Sequence, residues 1–163
     1  MSCLGVHFAL SPVQEQHLLV AADDDEAVIE SLEQIEDAWD DEHVVETDKA
    51  WDAIHQCLTG ALEFDAGAYP LSHAVLGGRH LYQGEDFIVS YVTAEQAQDV
   101  SAALAPIDEA WFRERLFALD LENYAGPHDE DDFGYTWQNF QDLRRFYEQA
   151  VADGRAVIFT VDQ

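Results

Sequence analysis

Asp48, Asp52 and His55 are spaced i, i+4 and i+7. On a helix, at about 100° per residue, that spacing sets two carboxylates and an imidazole along one arc. Such a set has the chemistry to accept a substrate proton or to ligate a metal. Trp51 and Tyr69 supply aromatic walls nearby in the chain, so Asp48, Trp51, Asp52, His55 and Tyr69 define the candidate pocket of a small hydrolase-like enzyme. The competing reading is structural. One helix alone does not supply the converging groups of a site, and a histidine bordering an apolar stripe is commonly packed with its ring nitrogens hydrogen-bonded.

The other motifs carry less chemistry. His7, His17, His43, His73, His80 and His128 fall in separate segments with no HExxH spacing, so neither a metal nor a cofactor is expected. The run His128, Asp129, Glu130, Asp131, Asp132 invites calcium, and counting from Asp129 places Gly134 where a calcium loop needs its glycine. Phe133 and Phe140 then occupy the fifth and twelfth positions, which must offer oxygen, so a solvated acidic loop is expected instead. Gly77 and Gly78 follow a short helical segment and open no helix, which fits a helix stop and neither nucleotide fingerprint. There is no GxSxG motif. Cys57 lies two residues from His55, about 200° away around a helix, and the two cannot act as nucleophile and base.

The elements that must position these residues can be followed along the chain. Cys3 to Leu10 predicts a strand, then Ser11 and Gln14 a capping box opening a helix at Pro12. After a turn at Asp23 to Asp25, Val28, Ile29, Leu32, Ile35 and Trp39 form an apolar stripe on an acidic helix ending near Asp41. Thr47 is expected to cap the next helix, with Asp48 against the positive end of its dipole, Trp51, Ile54 and Leu58 facing inward, and Gly60 ending it. Phe87 to Val92 predicts a strand, Thr93 and Gln96 cap a helix to about Leu104, and Pro106 separates it from one that begins at Asp108 with Phe112, Leu116 and Leu119 inward. Thr136 is expected to cap a long helix stopped by Gly154, and Ala156 to Val161 closes the chain as a strand. Few strands among many helices predict a single α+β domain, a small β-sheet covered by several helices, of unreadable strand order.

The segment Asp48 to Gly78 also resembles the YfbM-like family of small bacterial proteins. The likeness is carried by Asp48, Lys49, Trp51, His55, Leu58, Thr59 and Gly60, then by Phe64, Asp65, Pro70, Leu71, Ala74, Val75, Leu76 and Gly77. It extends more weakly to the opening strand, the central DFIVSYV and the closing FYEQAVADGRAVIFTV. The resemblance implies one domain over the whole chain but no activity, since none is established for the family. The acidic loop Gly126 to Gly134 departs from what it implies.

Composition bounds the function. A chain of 163 residues with 48% hydrophobic content, including four Trp, six Tyr and nine Phe, has the means to bury a core despite its charge. The opening MSCLGVHFAL has neither the basic region nor the cleavage site of a signal peptide, no apolar run spans a bilayer, and two distant cysteines suggest buried thiols, so a cytoplasmic protein is expected. Thirty-four acidic side chains against seven basic ones leave a net charge of −27, with Lys49 the only lysine. That field disfavours nucleic acid and anionic membrane. It suits a solubilising surface, adaptation to salt, or a negative face for a basic protein partner. The function expected from the sequence is a non-enzymatic binding or protein-interaction domain, with oligomeric state unspecified.

Overall fold

The computed structural model describes residues 3–120, 122 and 126–163. Met1 and Ser2, which begin the segment read above for a signal peptide, lie outside the described residues. Alternating residues of the strands serve two cores, one on each sheet face. Among the described residues five strands, β1 (Gly5–Leu10), β2 (Val44–Asp48), β3 (Arg79–His80), β4 (Phe87–Val92) and β5 (Ala156–Asp162), pair in the order β2-β1-β5-β4-β3. Every pairing is antiparallel. Phe8, Leu10, Val89, Tyr91 and Ile158 pack on one face against α1 (Pro12–Ala21) and α2 (Asp25–Asp37) through Leu18, Val28, Leu32 and Ile35. Ala9, Val92, Val157, Phe159 and Val161 meet α3 (Trp51–Thr59), α4 (Ala94–Leu104), α5 (Glu109–Phe117) and α6 (Glu130–Ala152) on the other. Burial on both faces explains why β1 and β5 read as nearly continuous apolar runs although the sheet is antiparallel. This is the expected α+β domain.

Local capping chemistry placed several boundaries correctly. Ser11 and Gln14 form the reciprocal box on α1, Thr93 and Gln96 that on α4, and Asp108 caps α5 through the Trp111 amide. Gly60 ends α3 at φ +83°, the left-handed geometry expected of it.

Other boundaries differ. β2 was not expected, because three of its five residues are polar and it sits at a sheet edge. Thr47 belongs to it: buried, its hydroxyl donates to the Gly5 carbonyl at 3.3 Å instead of capping a helix. Asp48 ends the strand at φ +48° rather than facing a helix dipole, and α3 starts at Trp51 behind Ala50, whose side chain caps nothing. α2 stops at Asp37, short of Asp41, and leaves Trp39 partly exposed and edge-on to Phe8 at 5.8 Å. α6 starts two turns earlier than Thr136, because Asp129 caps it through the Asp132 amide at 2.9 Å. The acidic run is therefore helix start, with carboxylates at the positive end of the dipole.

The second half of the Asp48 to Gly78 segment is a plug into the core. A 3-10 turn, Leu71–His73, leads into buried Ala74, Val75 and Leu76. The Ala74 carbonyl accepts from His7 Nε2 at 2.9 Å and from the Tyr147 hydroxyl at 2.8 Å. His7 is enclosed by Phe146, Tyr147 and Phe159, and burial lowers its pKa to about 4, so it is a neutral structural donor. Gly77 and Gly78 end no helix. They sit where the backbone closes onto Ser72 and onto the β4 residues Ser90 and Tyr91.

Candidate functional site

The five residues of the expected pocket take different partners, although Asp52 and His55 lie near enough to interact electrostatically. His55 is fully buried, with Nε2 on the Glu63 carbonyl at 2.9 Å, and burial depresses its pKa. Trp51 turns the other way, donating Nε1 to the Cys3 carbonyl at 2.9 Å with its ring 5.7 Å from that of Phe159. Tyr69 stands apart on the α4 side, bonded to Asp99 at 2.6 Å and edge-on to His73. Asp48 accepts from the Tyr135 hydroxyl at 2.7 Å. Asp52 lines a cavity.

That cavity is a cleft of about 530 Å³ between the start of α3 and the first two turns of α6. α3 contributes Asp52 and Ala53, and Lys49 and Ala50 precede them; α6 contributes Asp131, Asp132, Tyr135 and Thr136, with Gly126 and Pro127 from the preceding loop. The Tyr135 hydroxyl ties the two sides together, since it also accepts the Lys49 amide at 3.1 Å. Asp52 accepts from Gln56 Nε2 at 3.1 Å, and burial pushes its carboxyl above the ordinary aspartate range. Thr136 is 1% exposed, and its hydroxyl has no partner among the described residues. Reading α6 as starting at Thr136 hid this wall. The signal that could have revealed it was Asp129 three residues before Asp132, a cap spacing.

A second ionic group lies at the end of α6. His43 places Nδ1 2.6 Å from Asp40 and Nε2 2.8 Å from Asp153. Asp40, Glu42 and His43 are close enough to share a metal ion. Both His43 ring nitrogens are, however, already engaged by carboxylates, Asp40 foremost among the groups that raise its pKa, which leaves neither nitrogen open to an ion. His43 clamps the α2–β2 turn to the end of α6. A histidine whose folded pKa is raised contributes stability that is complete below its usual 6.5 and fades as pH climbs through the folded value. His43→Gln should therefore lower the thermal midpoint markedly at about pH 6 and much less at about pH 9. Equal losses at both would show that the ring acts by shape alone.

An antiparallel sheet sandwiched by helices, with an acidic cleft at the start of its longest described helix, defines a small α+β domain. The model for a domain of unknown function, DUF1877, matches residues 1–160, and the chain belongs to that family. The solved structure of a protein of unknown function, YfbM from Escherichia coli, is similar in fold, with a TM-score of 0.71 at 19% identity over 97% of this chain and 99% of that one. No curated protein matches significantly. No described helix is long and apolar enough to cross a membrane.

Proposed function

We propose that this chain is a non-enzymatic cytoplasmic interaction domain that receives a basic protein partner on its acidic surface. The charge balance carries the reading: seven basic side chains cannot neutralise 34 acidic ones. Several of the seven are also committed locally. Arg113 pairs with Glu130 at 2.6 Å, Arg145 pairs with Asp142, Arg144 donates to the Ile107 carbonyl, and Arg155 to that of Ala9. Such a field attracts cationic surfaces and repels nucleic acid and anionic lipid. The cytoplasm is favoured by two free thiols, Cys3 and Cys57.

The alternative, a hydrolase-like enzyme around Asp48, Asp52 and His55, draws support from the raised pKa of Asp52 in a cleft. It is weakened by His55 facing Glu63 instead and by Cys57, whose thiol burial pushes up to about 12.

A labelled peptide of alternating arginine and glycine, titrated at low ionic strength, tests the reading. Saturable binding that weakens steeply with salt, and rejection of the glutamate counterpart, are expected. No binding, or equal binding of both peptides, would overturn it.

The same crowding of carboxylates affects stability. Mutual repulsion opposes the compact state, so the thermal midpoint should rise between about 10 mM and about 300 mM sodium chloride as the Debye length shrinks. A flat or falling curve would mean that specific ion pairs outweigh the repulsion.

A further inference from the structure

We propose that the α3/α6 cleft is a binding site for a small organic cation, an ammonium or guanidinium on a short aliphatic stem. The proposal rests on the interaction reading only for one source of that ligand, an arginine or lysine side chain of the partner; a free amine would present the same chemistry. Three observations converge. The walls formed by Ala50, Ala53, Pro127 and the Tyr135 ring suit methylene groups. Asp52, Asp131 and Asp132 supply carboxylates from two elements that face one another across the cavity. Burial has already desolvated Asp52, so an incoming cation meets a carboxylate that water solvates poorly, where Coulomb attraction is strongest.

The independent mark of a ligand is Thr136. Within a helix a threonine hydroxyl usually bonds the carbonyl one turn back. This one has no partner among the described residues and is buried, and Thr136, 1% exposed as a residue, is one of those that line the cleft. A buried hydroxyl left without a partner is costly, and an N–H donor bound in the cleft would relieve it. The opposite sign of ligand is disfavoured. An anion would have the Lys49 ammonium and the uncapped start of α3 in its favour, but three carboxylates against it.

Titration of the isotope-labelled full chain with butylguanidinium, followed by amide NMR shifts, tests the site, with butyrate as the control. Saturable shifts confined to residues 49–53 and 126–136 are expected, with none from butyrate. Asp52→Asn combined with Asp131→Asn should weaken binding at least about tenfold, since each removes a charge-assisted acceptor. Thr136→Val, which keeps the shape, should weaken it, and Lys49→Gln should tighten it by removing a repelling charge; amides remote from the cleft report that each variant is folded. Shifts spread over the whole surface, equal binding of butyrate, or loss of binding in Lys49→Gln would each overturn the cleft assignment. If butylguanidinium fails while the arginine–glycine peptide still binds in a salt-dependent way, the cleft proposal falls and the interaction reading stands. If butylguanidinium binds the cleft and a capped Gly-Arg-Gly peptide does not, the site stands as one for free amines. Binding of both assigns it to a partner's side chain.

Discussion

Gly77→Ala is expected to destabilise the domain by about 3 kcal/mol, the upper part of the range for forcing atoms into a filled space. A Cβ at this position would lie 2.0 Å from the Ser72 carbonyl oxygen and 2.7 Å from its carbon. Both atoms are backbone. They cannot swing aside without opening the 3-10 turn that delivers Ala74, Val75 and Leu76 to the core and presents the Ala74 carbonyl to His7 and Tyr147. Gly134→Ala is the matched control. It lies within α6 with nothing within 4 Å of an added Cβ, so alanine there should add about 0.5–1 kcal/mol through higher helix propensity and a less flexible unfolded chain. Equilibrium denaturation of both variants decides the matter. A Gly77 variant as stable as the parent would mean that the plug is not a fixed part of the fold.

Trp51→Ala should cost about 3 kcal/mol, near the low end for a large aromatic because the side chain is only partly buried. Its ring lies over Gly5, whose Cβ position is 2.7 Å from Trp51 Cδ1, and against Phe159; its indole N–H satisfies the Cys3 carbonyl. Three segments lose their joint together when it is removed: β1, β5 and the start of α3. A loss below about 1 kcal/mol would free Trp51 for a binding role instead.

The sequence disclosed those parts of the fold that depend on neighbouring residues. Ser11 with Gln14, Thr93 with Gln96, and Asp108 each form their cap within three residues, so their helices could be located in advance. β2 depends on pairing with the distant β1, β3 is only two residues long, and their residues carry little apolar pattern to mark them. Asp48 shows the same limit in the candidate site. Its spacing to Asp52 fits a helix, yet the chain leaves β2 through a left-handed Asp48 and begins α3 only at Trp51, which breaks the expected arc. His55 was legible as a boundary residue, but its side depended on where residues 60–66 return, and they bring the Glu63 carbonyl to it. One wall of the cleft lies on the first two turns of α6, which the sequence predicts as loop. Three residues of the Asp48 to Gly78 segment serve packing: Trp51 on Cys3, His55 on Glu63, Gly77 on Ser72.

The central claim, a polyanionic domain that meets a cationic partner, is tested most directly by the association rate of the arginine–glycine peptide as a function of ionic strength in stopped-flow fluorescence. Long-range attraction predicts a rate that falls at least about tenfold between about 20 mM and about 200 mM salt, with a much smaller change in the dissociation rate. An association rate that does not change across that range would contradict the account and turn attention to the exposed aromatic and aliphatic side chains, such as Phe64 and Val20, as the binding surface.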